Sequence, residues 1–507
     1  MDRTVGRSRF IMLAVGTVLV MSPGTMAYQE CAAVEVAVLQ QQDTEDGIGY
    51  GESICLDGDY AVVGAPTARG FYLDTGCAYV YHRQGARWVE ESRLLTPDGA
   101  PYGNFGMSVA MADDRLLISG AGGVYVFERS EVGWVDVERL SFSDAQPTVR
   151  SMAVSGDVVV CGVPDDETFG DSSGAVYVFR WNGSQWEEEA KLYASDAEER
   201  DFFGDAVDVS GDYIIVGAYM KRLNLYDAGA AYIFRYESGQ WLEESKFLPG
   251  DLQAQDKFGC SVAISENLIA VGSRGDSPSG SVYVGVRSET EWVGQAKIRP
   301  NANGARISFG SSVDISGQSL VIGAPKEMAE NDYDEGVLYQ YELRGQWWRE
   351  VAKIGPRSGL CSYDDFGATL ATDGRHVMAS ARLLEDPWYK NLAYILAQHD
   401  GPFLMTSSPC GFSTDIRIWW QCATPAGRVA LLYAPARGAL TIPDGNPCAG
   451  TVLALGAHQV RVISSLIWSD EAGDGVLTGS MPSSACGGYL QLVDFSTCVT
   501  SNIVRIE

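Results

Sequence analysis

The stretch FGSSVDISGQSLVIGAP, residues 309–325, decides the fold, because close variants of it recur six more times along the chain. In six of the seven copies an aromatic residue and a glycine open the unit. These pairs are Tyr50-Gly51, Phe105-Gly106, Phe203-Gly204, Phe258-Gly259, Phe309-Gly310 and Phe366-Gly367. The third copy is degenerate, with Thr148-Val149 in that place. Spacings of 43 to 57 residues between the glycine positions indicate an internal repeat.

Two further markers keep the same register as the aromatic-glycine pair. One is a tyrosine within an apolar run, at Tyr79, Tyr125, Tyr177, Tyr232, Tyr283, Tyr339 and Tyr394. The other is a tryptophan that heads a strand, at Trp88, Trp134, Trp186, Trp241, Trp292 and Trp347. Apolar runs and alternating residues predict four short strands in each unit, with a turn rich in Ser, Gly and Asp after the first strand. Seven such units predict an all-β, seven-bladed propeller.

The combination of Phe-Gly, a short strand and Gly-Ala-Pro resembles the FG-GAP repeat. Gly-Ala-Pro stands at 64–66 and 323–325, with the variants Gly-Val-Pro at 162–164 and Gly-Ala-Tyr at 217–219. Repeats of this family build the seven-bladed propeller of integrin α subunits and of many secreted bacterial proteins. The resemblance covers residues 34–400, and it implies the same fold for this part of the chain.

The turns after the first strands bear on metal binding. Integrin-type repeats often carry an Asp-rich calcium loop there, whereas the turns of this chain, such as Ser316-Gly317, have only two to four residues. Because Ca²⁺ prefers six or more oxygen ligands, we predict no metal at these turns, and we assign the chain no cofactor. Longer acidic loops follow second strands at 165–171 and 330–336, where a solvated surface and a metal site are both open interpretations.

The N-terminus has the features of an export signal. Arg3, Arg7 and Arg9 precede an apolar stretch at 10–21, and small residues follow up to Ala27. This order predicts a signal peptide cleaved after Ala27, although a short N-terminal anchor is the alternative. We therefore expect a secreted or cell-surface protein, with no integral membrane segment in the mature chain.

The N-terminal strand is predicted to close the ring. Residues 34–40 (VEVAVLQ) resemble the fourth strands of later units, such as WEEEAKL at 186–192, and the seventh unit lacks a Trp-headed fourth strand of its own. A strand shared in this way would complete the seventh blade and leave no open sheet edge. The predicted domains are a signal peptide at 1–27, the propeller at 28–402 and a further domain at 403–507.

Charge separates these parts of the chain. The formal net charge of the 507 residues is −29, and residues 28–408 hold all of it, since 1–27 sum to +2 and 409–507 to −2. So acidic a chain repels phosphate backbones, and we expect no nucleic-acid partner.

The last 98 residues contain five of the eleven cysteines. These are Cys410, Cys422, Cys448, Cys486 and Cys498. In an exported chain they predict one or two disulfides in a small β-sandwich-like domain. Zinc binding is the alternative, but the segment has no C-x-x-C pair and its His458 stands alone.

Known catalytic motifs are absent from the sequence. The histidines His82, His376, His399 and His458 lie in no metalloprotease motif, and neither a nucleophile elbow nor a phosphate-binding loop is present. The residues at 274–276 spell Arg-Gly-Asp, the tripeptide that integrins read, but Gly, Asp and Ser are also ordinary turn residues. We assign no catalytic residue.

Two functions are compatible with these patterns. The first is a non-enzymatic extracellular binding or scaffolding protein, which docks a protein or glycan on the loops of the ring. The second is a secreted polysaccharide hydrolase or lyase, whose carboxylates would cluster on the ring axis beside a His or Tyr. Because the loops after the second strands vary in length, charge and aromatic content, they favour recognition. We predict that the partner is bound by Phe71 and Tyr72 in blade 1, Arg222 and Tyr226 in blade 4, and Tyr333 in blade 6.

Overall fold

The computed structural model describes most of residues 34–397 and the strand backbones beyond them. The described ranges before residue 398 are 34–39, 49–68, 75–84, 87–97, 103–112, 114–121, 123–131, 133–144, 147–288, 291–300, 307–327, 336–355, 363–383 and 391–397. Every helix-or-strand element in the described part of the chain is a β-strand, so no helix there is long and apolar enough to cross a membrane. The predicted signal peptide lies outside the described residues.

Residues Glu35–Ala397 form one compact unit, a seven-bladed propeller. Six blades are four-stranded antiparallel sheets in simple chain order. The strands are β1 (Val34–Leu39); β2 (Ser53–Asp57), β3 (Tyr60–Ala65), β4 (Cys77–Gln84) and β5 (Arg87–Leu95) in blade 1; β6 (Val109–Ala112), β7 (Arg115–Gly120), β8 (Gly123–Ser130) and β9 (Gly133–Arg139) in blade 2; β10 (Ser151–Ser155), β11 (Val158–Val163), β12 (Ala175–Trp181) and β13 (Trp186–Leu192) in blade 3; β14 (Ala206–Ser210), β15 (Tyr213–Ala218), β16 (Ala230–Glu237) and β17 (Gln240–Phe247) in blade 4; β18 (Phe258–Ser265), β19 (Leu268–Ser273), β20 (Ser281–Arg287) and β21 (Trp292–Ile298) in blade 5; β22 (Ser312–Ser316), β23 (Ser319–Ala324), β24 (Val337–Arg344) and β25 (Trp347–Ile354) in blade 6; and β26 (Tyr363–Asp364), β27 (Leu370–Thr372), β28 (His376–Leu383) and β29 (Asn391–Ala397) in blade 7.

The seventh blade contains the N-terminal strand. Its sheet runs β1-β29-β28, and both β26 and β27 pair with β28. β1 therefore occupies the position that fourth strands hold in the other blades. The Oγ1 of Thr369 also donates a hydrogen bond of 2.9 Å to the carbonyl oxygen of Gly51, so the seventh and first blades are joined at their inner strands.

The first strands form the inner wall of the ring. β2, β6, β10, β14, β18, β22 and β27 contact one another in that order, and β27 contacts β2. Serines at or near the start of four of these strands donate a hydrogen bond of 2.7–2.9 Å to the glycine carbonyl of the next blade's aromatic-glycine pair. These serines are Ser53, Ser151, Ser261 and Ser312. The opening motif is thus a contact between blades.

The aromatic rings of the repeat fill the space between blades. Tyr50 and the five phenylalanines of the pairs are buried, and each meets the marker tyrosine of its blade edge-on, with ring centroids 5.2–5.5 Å apart. In the degenerate third blade Phe142, from the preceding linker, meets Tyr177 in the same way at 5.1 Å. All seven blades therefore keep the aromatic contact, even where the motif is lost.

The degenerate pair of the third blade differs by one residue from the sequence assignment. The backbone N–H of Arg150 donates to the carbonyl oxygen of Gly162 at 3.0 Å, the hydrogen bond that the motif glycine makes in other blades. Val149-Arg150, and not Thr148-Val149, therefore stands in place of the aromatic-glycine pair. The reason is that this blade lacks one residue between the pair and its first strand.

The tryptophan marker of the sixth blade also differs. In blades 4 and 5 the marker indole donates to a glutamate of the preceding blade, as Trp241 does to Glu189 at 2.8 Å. In blade 6 that role belongs to Trp348, which donates to Gln295 at 2.9 Å, whereas Trp347 is 80% exposed. Trp347 does head β25, as predicted, but Trp348 holds the register position of the other marker tryptophans. The sequence could not separate two adjacent tryptophans.

The strands after the propeller belong to a second unit, which includes Gln398–Glu507. They are β30 (Phe403–Ser407), β31 (Asp415–Gln421), β32 (Arg428–Ala434), β33 (Arg437–Thr441), β34 (Val452–Leu455), β35 (Arg461–Trp468), β36 (Gly475–Ser480), β37 (Tyr489–Asp494) and β38 (Val504–Arg505). Their sheets run β30-β31-β36, β35-β32-β37-β38 and β33-β34. The sandwich-like arrangement and the disulfides stay predictions, because the five cysteines lie outside the described residues.

Candidate functional site

The connections between strands divide the ring into two faces. In an antiparallel sheet in chain order, successive connections lie at alternate ends of the strands. The loops from second to third strands and the linkers between blades therefore share one face, which we call the loop face. The short turns after the first and third strands lie on the opposite face.

The structure places two of the five predicted binding residues together on the loop face. Arg222 and Tyr226 both lie in the loop between β15 and β16, and the Arg222 guanidinium carbon is 5.0 Å from the centroid of the Tyr226 ring. Tyr226 is 57% exposed, and Arg222 Nε is 4.0 Å from Asp227 Oδ1. Phe71, Tyr72 and Tyr333 lie outside the described residues.

A buried ion pair supports this loop from below. The Nζ of Lys221 lies 2.9 Å from Oδ2 of Asp201, and both side chains are almost fully buried. The same carboxylate oxygen accepts the backbone N–H of Glu198 at 2.8 Å. Burial raises the pKa of Asp201, against the lowering effect of Lys221. Since a buried charge needs a partner, Lys221 fixes the start of the loop to the linker from blade 3.

Three other side chains of the loop face depart from the repeat, and a fourth, at a position that varies among the copies, lies beside them. Tyr219 and Arg274 follow the second strands of blades 4 and 5, where Gly-Ala-Pro has its proline. Arg150 stands where the motif has glycine, and Asp205 directly follows the Phe203-Gly204 pair. All four lie at the loop-face ends of first or second strands, beside the inner wall. We call these four residues the mouth cluster.

The members of the mouth cluster are close to one another. The Arg274 guanidinium carbon is 5.8 Å from the centroid of the Tyr219 ring, and the ring of Phe202 is 5.7 Å from that of Tyr219. Arg150 pairs with Asp165 at 3.0 Å. Among the described residues, the carboxylate of Asp205 and the guanidinium of Arg274 form no hydrogen bond and no ion pair.

Electrostatics connects the cluster across three blades. Burial raises the pKa of Asp205, while the positive charges of Arg150 and Arg274 act to lower it. Burial also raises the pKa of Tyr219, and the negative charge of Asp205 raises it further. The sequence analysis did not find this cluster. The available signal was the replacement of proline by tyrosine and arginine in two successive copies of the repeat.

A cleft lies between blades 3 and 4. It encloses about 460 Å³ and has an aromatic rim, in which Phe169 meets Tyr193 edge-on at 5.0 Å. The carboxylates of Asp196 and Glu243 line it, but each is hydrogen-bonded within the two blades. The two carboxylates of the cleft are therefore already hydrogen-bonded within the protein, and the cleft offers a ligand its apolar surface.

The Arg-Gly-Asp tripeptide is part of the scaffold. The Asp276 side chain is only 7% exposed, and its oxygens lie 2.7 Å from Lys297 Nζ and 2.6 Å from Arg299 Nη2. The hydroxyl of Ser281 donates to the same carboxylate at 2.6 Å. This carboxylate is not available to a partner, so we interpret the tripeptide as an ordinary turn.

Two carboxylates line the inner wall. Asp208 Oδ2 accepts the backbone N–H of Ile264 in the next blade at 2.7 Å, and Asp314 Oδ2 accepts that of Thr372 at 2.6 Å. Burial raises the pKa of each to about 7, and for Asp314 the charge of Asp208 adds to the effect. In the described residues neither carboxylate is hydrogen-bonded to a His or Tyr side chain, the arrangement that the hydrolase alternative requires.

The described residues provide no metal cage. No three His, Cys, Asp or Glu side chains gather there in a way that could hold an ion. In the acidic loop 165–171, Asp165, Asp166 and Asp171 each pair with a cation. The thiols of Cys55, Cys161 and Cys260 are free, and burial raises the pKa of each, which makes them poor nucleophiles at neutral pH.

These features define the chain as a β-propeller whose loop face carries exposed aromatic and charged side chains. A family model described as FG-GAP repeat matches residues 33–81, 88–127, 186–234, 241–285 and 292–341. The chain is therefore an FG-GAP repeat propeller protein. Each match runs from one fourth strand into the next blade, and none covers the first three strands of the degenerate third blade, β10 to β12.

Solved propellers resemble the chain only distantly. The β-propeller domain of Cps50 (Swd1) from Myceliophteria thermophila has a TM-score of 0.43 and 11% identity, and the match covers 71% of this chain and 99% of that one. The WD40 β-propeller domain of Doa1 has a TM-score of 0.41 and 12% identity, covering 73% and 98%. Likenesses of this size carry no argument about function. No curated protein sequence matches the chain.

Proposed function

We propose that this protein binds an extracellular protein or glycan on the loop face of its propeller, without covalent chemistry. The observation that carries the proposal is the pair formed by Arg222 and Tyr226. A largely exposed aromatic ring next to a guanidinium is an anchor of the kind that dominates interfaces. Because the buried pair of Lys221 and Asp201 fixes the loop, binding would order little chain.

Other features of the same face support the proposal. The mouth cluster and the aromatic rim formed by Phe169 and Tyr193 lie on it, so polar and apolar groups share one surface. Phe71, Tyr72 and Tyr333 belong to the proposal on the basis of their loops in the sequence. The proposed location is the cell exterior, which rests on the N-terminal signal pattern.

A five-residue variant tests the binding surface. Wild-type protein is immobilised and its partner is isolated from the native envelope or matrix. Replacing Phe71, Tyr72, Arg222, Tyr226 and Tyr333 with Ser should abolish capture of that partner, while the melting temperature stays nearly unchanged because the two placed residues are on the surface. The matched control is Trp347→Ser, which removes an exposed aromatic side chain from the opposite face. Undiminished capture by the five-residue variant would refute the proposal.

The enzyme alternative has one observation in its favour, the two carboxylates on the inner wall. Asp208 and Asp314 both have raised pKa values, as a general acid requires. Both are committed to backbone hydrogen bonds between blades, which favours a structural role. Release of reducing ends from a polysaccharide by the purified protein, lost in Asp208→Asn and Asp314→Asn, would favour the enzyme instead.

A further inference from the structure

The repeat gives every blade an equivalent backbone position after the second strand, but the side chain at that position differs between blades. After the second strand, blades 1, 3 and 6 have Pro66, Pro164 and Pro325, whereas blades 4 and 5 have Tyr219 and Arg274. Blades 2 and 7 have Ala121 and Arg382 at this position. Proline serves the scaffold there, since it fixes φ and needs no hydrogen-bond acceptor. Tyrosine and arginine at the same place add groups that a turn does not need.

The departures also converge. Arg150 from blade 3, Asp205 and Tyr219 from blade 4, and Arg274 from blade 5 come from three blades, yet they meet at one place. Gly204, next to Asp205, donates its N–H to the carbonyl oxygen of Gly217 at 3.0 Å, and its own carbonyl oxygen lies against Gly162, which accepts the N–H of Arg150. The Arg274 guanidinium carbon is 5.8 Å from the Tyr219 ring, and the charges of the group affect the pKa values of Asp205 and Tyr219. Exceptions to the proline also stand in blades 2 and 7, at Ala121 and Arg382, but the side chains of blades 3 to 5 are the ones that the structure brings together. Polar and aromatic groups gathered from three blades at one place can serve one ligand.

The chemistry of the group is that of polyhydroxyl recognition. Asp205 offers carboxylate oxygens that accept hydrogen bonds, and Arg274 offers guanidinium N–H groups that donate them. In the described residues neither the Asp205 carboxylate nor the Arg274 guanidinium forms a hydrogen bond or an ion pair, although the guanidinium lies over the Tyr219 ring. Tyr219, with Phe202 at 5.7 Å, adds a planar apolar surface on which a ring can stack.

Charge selects among possible ligands. A cation would be repelled by the guanidinium groups of Arg150 and Arg274, which come from the blades on both sides of Asp205. An anion would be repelled by the Asp205 carboxylate and by a chain whose net charge is −29. A protein surface would bury about 800 Å² per partner, far more than four side chains cover. A neutral ring with several hydroxyl groups avoids all three objections.

We propose that the mouth cluster binds one neutral hexose or pentose ring of a glycan. Asp205 accepts hydrogen bonds from ring hydroxyls, Arg274 donates one, and Tyr219 stacks on the apolar side of the ring. Arg150 stays paired with Asp165 and closes the side of the site that faces blade 3. The inference rests on the proposed function and names the ligand class for one part of the loop face.

Titration calorimetry with defined oligosaccharides tests this inference. The probes are the neutral hexaoses of β-1,4-glucose, β-1,4-mannose, β-1,4-xylose and α-1,4-glucose, with hexagalacturonate as the acidic comparison. We expect the wild-type protein to bind at least one neutral hexaose, and Asp205→Ala and Arg274→Ala each to weaken that binding by about tenfold or more, which is the loss of one good hydrogen-bonded contact. The matched control is Arg200→Ala, which removes a loop-face arginine whose partner is Asp171.

Each outcome has a defined meaning. Loss of binding in Asp205→Ala and Arg274→Ala but not in Arg200→Ala, with unchanged melting temperatures, supports the site. Binding of no neutral hexaose, binding of hexagalacturonate alone, or equal binding by all variants overturns it. Partner capture that depends on Arg222 and Tyr226 would still leave the proposed function standing in those cases. Conversely, the wild-type protein could bind a neutral hexaose while the five-residue variant still captures the partner. That result would support the sugar site and refute the wider binding surface.

Discussion

Gly217 lies directly against the carbonyl oxygen of Gly259, so that a Cβ on Gly217 would overlap that oxygen. Gly217 belongs to the Gly-Ala-Tyr motif of blade 4, and Gly259 to the Phe-Gly pair of blade 5. The same contact recurs between Gly64 and Gly106, and between Gly323 and Gly367. The two halves of the repeat motif are therefore the two sides of one contact between neighbouring blades.

This contact predicts an asymmetry between two strand glycines. Gly217→Ala should lower the free energy of unfolding by roughly 1–3 kcal/mol, because the new methyl group must displace the backbone of the next blade. Gly294→Ala is the matched control, since Gly294 also lies in a strand but has no atom within 4 Å of an added Cβ. It should be neutral or slightly stabilising. Denaturant unfolding of both variants measures the difference, and equal destabilisation would contradict the packing argument.

The buried rings of the repeat predict a second pair of effects. Phe309 is fully buried and meets Tyr339 at 5.2 Å, so Phe309→Ala should cost roughly 3–5 kcal/mol of unfolding free energy. Phe169→Ala removes the same side chain from an exposed loop, where the ring is 52% exposed, and should cost no more than about 1 kcal/mol. Thermal melts distinguish the two. A comparable loss in both would mean that the Phe-Gly ring is not a packing element.

The fold was predictable because packing repeats itself in the sequence. Phe309 and its equivalents occupy equivalent buried positions, so the sequence pattern of a blade recurs along the chain. The predictions of FG-GAP repeats and of seven blades are confirmed. Where the structure replaces one side chain by another from a distant position, the pattern fails. Phe142 takes over from the missing phenylalanine of blade 3 across a linker, which no local spacing reveals.

The candidate site was predictable only in part, for a physical reason. Arg222 and Tyr226 lie in one loop, so their proximity is visible in the sequence. The mouth cluster joins side chains from three blades, and only the ring brings Arg150 and Arg274 toward Asp205. A comparison of equivalent positions among the copies marks Tyr219 and Arg274 as exceptions together with Ala121 and Arg382, and it does not show which of them converge.

The turns after the first strands predict the response to a chelator. The turn between β22 and β23 has two residues, Gly317 and Gln318, and such a turn cannot surround Ca²⁺. EDTA should therefore leave the melting temperature of the protein unchanged. A fall of many degrees on addition of EDTA, reversed by calcium, would show that a metal bound to the folded state stabilises it.

The inner-wall aspartates predict how stability depends on pH. Burial raises the pKa of Asp208 to about 7, although two backbone N–H groups act to lower it, and burial together with the charge of Asp208 raises that of Asp314 to about 7. The ordinary value for an aspartate is 3.8. Between these values the folded protein keeps protons that the unfolded chain has released. The contribution of the two groups to stability therefore falls as the pH rises from about 4 to about 7, and stays constant above that range.

The double variant Asp208→Ala/Asp314→Ala isolates this effect. Alanine occupies the equivalent position in four other blades, at Ala110, Ala153, Ala263 and Ala371, so the blades can pack around it. The variant loses hydrogen bonds between blades at every pH, and the informative quantity is the change with pH. Urea unfolding at pH 4.5 and 7.5 should show a larger fall in the unfolding free energy for the wild type than for the variant. Parallel pH dependence in the two proteins would mean that the aspartates are ionised in the folded ring, held by the backbone N–H groups of Ile264 and Thr372.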